Sequence, residues 1–142
     1  MKNKVGEAAG PSRLKITPEL IAAFRRAVGA HEGPQDEAPP TLMTMLRSGE
    51  FELFRRFEIP LSALLHAEQS YTYAEAIRAG DELEFETRLA QAVSKRGARG
   101  EMHFLTLETS VEALRGAGKV PIGTCRSVIV VRQEAKGREG AR

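Results

Sequence analysis

Residues 65–85, LHAEQSYTYAEAIRAGDELEF, decide how this chain folds. The stretch opens with the tyrosine-rich run that holds Tyr71 and Tyr73 and closes on alternating apolar and acidic residues, both of which are typical of β-strands. Between them stands Ala79-Gly80-Asp81, where glycine permits the positive φ of a turn and aspartate can bond to nearby backbone. The stretch therefore predicts strand, turn and strand, with both tyrosines on one strand face.

The same period-two pattern continues toward the C-terminus. A strand is expected over residues 69–77, and apolar and charged side chains then alternate over residues 82–93. The alternation returns over residues 101–111 after a basic, glycine-containing turn, and a last strand is expected over residues 119–132. Strands joined by short turns predict an antiparallel sheet of four strands in a meander.

Two helices are predicted ahead of these strands. A short strand is expected at residues 13–16, after which Thr17 can cap a helix, Pro18 can occupy its first turn and Gly29 can end it. After a proline-rich loop at residues 30–40, Thr41 is expected to cap a second helix. Because apolar residues lie around most of that second helix, it is expected to be wrapped by the sheet, which gives an α+β fold class.

Length and composition restrict the function. A chain of 142 residues suits one domain, expected at residues 13–132 between a flexible N-terminus (1–12) and a flexible C-terminal tail (133–142). Its net charge of +2 is accounted for by residues 132–142, which hold four basic and two acidic residues, so no nucleic-acid interface is expected. No apolar run approaches the ~20 residues needed to cross a bilayer, and no secretory signal is visible. The single Cys125 can form neither an internal disulfide nor a cysteine metal site, which fits the cytoplasm, and no metal is expected.

Three segments, in order, resemble one family. Residues 16–29, ITPELIAAFRRAVG, resemble the first helix of MaoC-like and fatty-acid-synthase-type (FAS1-type) dehydratase domains. Residues 38–41, APPT, resemble the entry to the central helix in the N-terminal, non-catalytic type of these domains. Residues 66–85 resemble that type's His-Gly-Glu-Gln…Arg-Ala-Gly-Asp region, with Ala67 where glycine is usual. The resemblance implies a hotdog fold, which is an antiparallel curved sheet wrapped around a long central helix.

The resemblance also implies acyl-thioester chemistry. Members of the family hydrate trans-2-enoyl thioesters or dehydrate (R)-3-hydroxyacyl thioesters, with the substrate carried on coenzyme A or on the phosphopantetheine of acyl carrier protein and with no other cofactor. Catalytic members resemble one another in an Asp…Asn-Pro…His segment after the first helix, which positions water and exchanges the α-proton. Backbone N–H groups at the start of the central helix stabilise the thioester oxygen.

The sequence departs from this pattern directly after Gly29. Ala30 stands where the aspartate is expected, and residues 30–37, AHEGPQDE, contain no Asn-Pro followed by histidine. Pro39 and Pro40, near the helix start, have no N–H to donate. We therefore expect a non-catalytic or weakly catalytic subunit that forms a homodimer, or a heterodimer with a catalytic MaoC-like hotdog subunit, and whether the chain is an enzyme stays open. The alternatives are a stand-alone hydratase or thioesterase acting on acyl-CoA, and a non-catalytic acyl-CoA-binding or regulatory homodimer.

The candidate site residues form two groups. A substitute acid–base set is weakly indicated, and its alternative interpretations are a polar surface loop and a structural pair; its members are His31, Asp36, His66 and Glu68. Since His66 and Glu68 are two residues apart, they are expected on one strand face, with Gln69 pointing the other way toward a partner. Residues that suit the acyl thioester, or the phosphates of coenzyme A and an acidic carrier protein, are Thr41, Tyr71, Tyr73, Lys95, Arg96 and Arg99. Core packing and a solvated turn are the simpler interpretations of this second group.

Overall fold

A five-stranded antiparallel sheet in the order β1-β3-β4-β5-β2 forms the body of the fold. The computed structural model describes residues 1–133. Its strands are β1 (Ala8–Lys15), β2 (Leu64–Tyr73), β3 (Glu82–Gly97), β4 (Gly100–Arg115) and β5 (Gly118–Gln133). Its helices are α1 (Pro18–Val28) and α2 (Ser48–Arg56), with 3₁₀ helices at Lys2–Lys4, Pro40–Met45 and Leu61–Ala63. The α+β class and the hotdog arrangement of a sheet around a helix are confirmed.

Helix α1 forms as its capping residues predict. The hydroxyl of Thr17 accepts a hydrogen bond from the Leu20 N–H at 3.0 Å, and Pro18 occupies the first turn. Gly29 ends the helix with a φ of 72°, the left-handed conformation that glycine adopts without strain. Ile16 and Ile21, which flank the cap, are both buried, so the helix start is fixed against the core.

The central helical segment is shorter than the long helix that we expected. Thr41 lies inside the 3₁₀ helix Pro40–Met45, which has Pro39 at its N-cap position and no side-chain cap, and α2 begins only at Ser48. The expected capping role of Thr41 is therefore wrong. Two consecutive prolines without N–H groups favour a tight turn over a regular α-helix at this entry.

The order of the strands also differs from the expected meander. Strands β3, β4 and β5 follow one another, but β2 pairs with β5 instead of with β3. The connection after Tyr73 carries the chain from the edge strand β2 across the sheet to β3, which lies beside the opposite edge strand β1. The expected strand over residues 69–77 ends four residues early. Local alternation cannot reveal this crossing, since it reports which face a residue occupies and not which strand lies beside it.

Strand β1 is longer than the expected strand at residues 13–16. It starts at Ala8, pairs with β3, and has a register irregularity between Ala9 and Ser12. Residues 8–12, which we placed in a flexible N-terminus, thus belong to the sheet. The glycine and proline that interrupt their pattern lie within this irregularity, where a strand tolerates them. Of the predicted tail, only Gln133 is described, as the last residue of β5; residues 134–142 lie outside the described part of the chain.

A buried polar belt divides the core between sheet and helices into two apolar clusters. The first cluster packs α1 and the 3₁₀ helix Pro40–Met45 onto the sheet, and the second packs α2 onto it. The belt between them consists of Glu50, Thr87, Thr109 and Ser127. Thr87 and Thr109 share a hydrogen bond of 2.7 Å, and Ser127 donates to Glu50 at 2.8 Å. These bonds satisfy polar groups that would otherwise be costly to bury.

Asp81, which is only 5% exposed, holds the Ala79-Gly80-Asp81 turn between β2 and β3. Its carboxylate accepts the Arg78 N–H at 2.8 Å, as the Ala-Gly-Asp turn predicts, and two guanidinium nitrogens of Arg115 at 2.9 Å each. Arg115 also donates to the Ala76 carbonyl, so one side chain of β4 fixes the crossing connection at two points. Burial alone would raise the pKa of Asp81, but the hydrogen bonds and charges of Arg115 and Arg78 lower it.

Replacing Asp81 with asparagine should lower the free energy of unfolding by about 2–4 kcal/mol at pH 7, because Arg115 loses its buried counter-charge. Since the pKa of Asp81 is lower in the folded chain than in the unfolded chain, its contribution is complete above about pH 4 and disappears as the pH falls through the folded value. Urea unfolding of both proteins should show that the difference between their free energies of unfolding becomes smaller as the pH falls below about 4. Glu52→Gln, which breaks an exposed pair with Arg56, should cost less than about 1 kcal/mol. Equal losses for the two variants would contradict this account.

Candidate functional site

The loop after α1, where the resembling enzymes carry their acid–base segment, is organised by Arg25. This side chain is only 8% exposed, and its guanidinium donates to four backbone carbonyls. Nη1 lies 3.2 Å from Ala30 O and 2.7 Å from Glu32 O, and Nη2 lies 2.9 Å from Pro34 O and 2.6 Å from Glu37 O. Charge-assisted bonds of this kind are strong, so a single cation holds residues 30–37 in one conformation.

The loop does not bring its candidate acid–base residues together. The side chains of His31 and Asp36 are both exposed, and among residues 1–133 no hydrogen bond or ion pair joins them. The backbone carbonyl of Asp36 accepts the Ala79 N–H at 2.8 Å, and Ala38 N–H donates to Ile77 O at 2.8 Å. These bonds attach the loop to the crossing connection, so its backbone is structural while its polar side chains face solvent.

His66 and Glu68 lie on opposite faces of the sheet, and the prediction that they share one face is wrong. A bulge at Ala67 makes His66 the partner of Ile129 and Glu68 the partner of Val128. Ile129 is buried in the second cluster, so His66 lies on the inner face and Glu68 on the outer face. An acid–base pair of these two residues is therefore excluded by the register.

The bulge also turns Gln69 inward instead of toward a partner. Gln69 Oε1 lies 2.8 Å from His66 Nε2 and 2.9 Å from Ser127 Oγ. Ser127 in turn bonds to Glu50, whose other oxygen accepts from the Arg47 guanidinium at 2.8 Å. A continuous polar chain thus runs from His66 on the edge strand through the belt to the start of α2.

Cys125 belongs to the same network. Gln69 Nε2 donates to its sulfur at 2.7 Å, and the thiol is buried. Burial, together with the negative charge of Glu50, raises the pKa of the Cys125 thiol to about 11. The thiol is therefore protonated at neutral pH and acts as a small buried side chain instead of a nucleophile.

The two tyrosines share the inner face as predicted and lie at the first cluster. Tyr73 donates its hydroxyl hydrogen bond to the Pro40 carbonyl, which ties β2 to the 3₁₀ helix. Burial raises the pKa of both Tyr71 and Tyr73, so both phenols remain protonated. The Thr41 side chain is exposed beside them, and its carbonyl accepts from the Thr44 hydroxyl at 2.8 Å.

The basic candidates lie at the other end of the sheet. Tyr73 pairs with Gly123, which lies in register with Val111 and, through it, with Phe85 on β3. Lys95 is ten residues further along β3, a separation of roughly 30 Å at strand spacing. Lys95 and Arg96 lie at the end of β3 instead of in the expected turn, and Arg99 lies in the turn to β4. This basic turn region therefore cannot form one compact site with Tyr73 and Thr41.

Arg25, Glu50 and Ser127, which help to organise this region, were not singled out from the sequence, although two of them left a signal. Arg25 falls on the apolar face of α1, four residues after Ile21. Glu50, which is only 1% exposed, falls on the apolar face of α2, three and four residues before Leu53 and Phe54. Charged residues at buried positions require partners. Gln69 and Ser127 left no such signal, because the bulge that turns Gln69 inward cannot be read from alternation.

Within residues 1–133, no group of three or more His, Cys, Asp or Glu side chains is placed to hold a metal ion. No helix of that part of the chain is long and apolar enough to span a membrane.

Replacing Arg25 with methionine should lower the free energy of unfolding by about 2–3 kcal/mol, because four carbonyls lose a charged donor while the side-chain volume is nearly kept. Arg25→Lys should recover little of this loss, since a compact ammonium cannot reach four carbonyls as a planar guanidinium does. Chemical denaturation measures both. Arg26→Met, at the exposed neighbouring position, is the matched control and should change stability by less than about 0.5 kcal/mol. A full recovery with lysine would show that only charge matters.

Residues 3–118 match the sequence family described as FAS1-like, dehydratase domain region. No curated protein matches the sequence.

Several solved structures share the fold. The HadBC (3R-hydroxyacyl-ACP dehydratase) complex from Mycobacterium tuberculosis contains a chain with a TM-score of 0.70 and 15% identity, covering 89% of this chain and 96% of that one. A chain of the ChsH1–ChsH2 complex from the same organism has a TM-score of 0.67 and 14% identity, and the match covers 90% of this chain and 85% of that one. The (R)-hydratase from A. caviae has a TM-score of 0.58 and 17% identity, and the match covers 90% of this chain and 96% of the hydratase chain. At these identities, the similarity establishes the fold alone.

Proposed function

The chain belongs to the FAS1-like dehydratase-region family, and on that basis we propose that it is the supporting, non-catalytic subunit of an (R)-specific enoyl-thioester hydratase or 3-hydroxyacyl-thioester dehydratase. In this role it dimerises with a catalytic hotdog chain and helps to shape the pocket for the acyl thioester. The substrate arrives on coenzyme A or on acyl carrier protein.

The observation that carries this proposal is the loop at residues 30–37. In the resembling enzymes this position supplies an aspartate and a histidine that face the substrate. Here the four carbonyl bonds of Arg25 fix the loop, and His31 and Asp36 face solvent. General acid–base catalysis needs both groups within hydrogen-bond reach of the reacting atoms. A loop held in this way favours a structural role over proton transfer.

The entry to the central helix supports the same conclusion. An oxyanion hole needs free backbone N–H groups that point at the thioester oxygen. Pro39 and Pro40 have none, and the Leu42 N–H is already bonded to Pro39 O at 2.9 Å. Few donors therefore remain where the resembling enzymes stabilise the developing negative charge.

The two edges of the sheet indicate where a second chain would pair. Strand β1 carries Pro11, Arg13 and Lys15, which are residues that protect an edge from further pairing. Strand β2 is a ten-residue edge without proline, lysine or arginine. Its exposed backbone is a template for another strand, and two structures of similar fold, HadBC and ChsH1–ChsH2, are two-chain complexes. We place the catalytic partner along β2.

The acyl group is proposed to lie near Tyr71, Tyr73 and Thr41, at the junction of β2 with the 3₁₀ helix. The phenol of Tyr73 is already committed to the Pro40 carbonyl, so the tyrosines would offer ring surface instead of acid–base chemistry. The basic turn lies too far away to share that pocket.

The test is hydration of a trans-2-enoyl-CoA by this chain alone and by its complex with a MaoC-like chain whose Asp…Asn-Pro…His segment is intact. The lone chain should hydrate the thioester no faster than buffer, and the complex should be at least about 10²-fold faster, since that is what a positioned acid–base pair contributes. In the complex, His31→Ala and Asp36→Asn should change the rate less than twofold.

Rapid hydration by the lone chain that His31→Ala abolishes would overturn the non-catalytic assignment. A homodimer that binds acyl-CoA and forms no complex with a catalytic chain would instead favour a regulatory role. Hydrolysis of acyl-CoA by the lone chain would identify a thioesterase.

A further inference from the structure

A row of apolar side chains crosses the outer face of the sheet, on the side away from α2. The register aligns Val93 with Phe104, Phe104 with Val130, and Val130 with Leu65, so the row spans β3, β4, β5 and β2. The chain neighbours of these residues are buried against α2, which places the row itself on the opposite face. Leu65 is 59% exposed and Val93 is 37% exposed. We call this row, with Met102, the outer patch.

Positive charge borders the outer patch on one side. The next register row contains Lys95 and Arg132 on either side of Met102, and the turn beyond them carries Arg99. Within residues 1–133 no carboxylate lies within ion-pair distance of these three cations. The Lys95 ammonium lies 5.0 Å from the centroid of the Phe104 ring, so its charge is held directly over the apolar surface.

On its other side the outer patch opens into a shallow depression lined by Glu68, Gln69, Ser70, Arg126 and Val128. Arg126 adds a further cation to this lining, and Glu68 adds a carboxylate. Glu108, the strand neighbour of Arg126, is paired with Arg88 at 3.1 Å. The surface therefore combines an apolar row with an excess of unpaired positive charge. A partner that is apolar on one face and acidic at its margins complements both features.

We infer that the outer patch docks an acidic amphipathic helix of a partner protein. The four-strand row is about 14 Å long, at roughly 4.8 Å between strands. A helix of about ten residues covers that length at 1.5 Å per residue, and its apolar stripe matches one row. Its flanking carboxylates then meet Lys95, Arg132 and Arg126.

Two other occupants fit less well. A membrane surface would require protruding side chains that can insert, whereas Phe104 and Val130 lie partly buried within the sheet and only Leu65 and Val93 project. A second copy of this chain would bring the same excess of positive charge, which disfavours face-to-face packing. The docking face is also distinct from the β2 edge that is proposed to pair with the catalytic chain.

The test uses two synthetic helical peptides that share a leucine stripe and differ only in their other positions, glutamate in one and lysine in the other. The full chain, labelled with ¹⁵N, is titrated with each peptide at low salt. We expect the glutamate peptide to shift the backbone signals of Val93, Phe104 and Val130, and to bind at least tenfold tighter than the lysine peptide. Raising the salt concentration should weaken this binding.

Matched variants locate the contact. Lys95→Glu combined with Arg132→Glu should reduce the affinity for the glutamate peptide at least tenfold. Lys15→Glu, a charge reversal at an exposed position on β1, should leave it unchanged. Equal binding of both peptides, no binding of either, or binding unaffected by the double variant would overturn the proposal. The proposal would also be overturned if the chain bound phosphatidylglycerol vesicles more tightly than the glutamate peptide, or if the chain self-associated and the double variant did not.

Discussion

The guanidinium of Arg25 connects the fold of this chain to its function. It is a buried cation whose hydrogen bonds are all made to backbone carbonyls of one loop, and its Nε has no partner among the described residues. A planar group with several donors is one of the few side chains that can satisfy so many carbonyls at once. The loop it holds follows α1, where the resembling enzymes put their acid and base, so under the proposed function the contact that completes the fold also keeps this loop out of proton transfer.

A second charged group, Glu50, fixes the position of the central helix. Its two oxygens contact Arg47 on its own helix segment and Ser127 on β5, which anchors the start of α2 over the middle of the sheet. The neighbouring Gly49 permits this close approach, because a Cβ there would lie 2.5 Å from the Thr87 hydroxyl. The two apolar clusters then pack on either side of the belt, and Gln69 extends the polar chain to the edge strand.

The sequence predicted those parts of the fold that depend on local rules. The cap of Thr17, the left-handed Gly29 and the Asp81 turn each follow from the chemistry of a few adjacent residues. The pairing of β2 with β5 could not be predicted, because alternation reports the face of a strand and not its neighbour. The predicted face of Glu68 was wrong for a related reason, since a bulge of one residue inverts a pattern of period two.

The candidate site was predicted less well than the fold. The resemblance identified residues 30–37 as the decisive loop, and the absent Asp…His segment was visible in the sequence. The cause of the loop's conformation was not visible in the sequence, because the partners of Arg25 are backbone carbonyls, which every residue possesses. The basic residues Lys95, Arg96 and Arg99 were visible in the sequence, but their distance from Tyr73 emerges only from the register of four strands.

The most direct test is the backbone ¹⁵N order parameter of residues 30–37, measured by NMR relaxation with and without a saturating enoyl thioester. If Arg25 alone sets this loop, its order parameters are about 0.85 without ligand, equal to those of α1, and do not change when the thioester is added. Values below about 0.6 that rise when the thioester binds would contradict this account, because the loop would then be organised by substrate, as an active-site loop is.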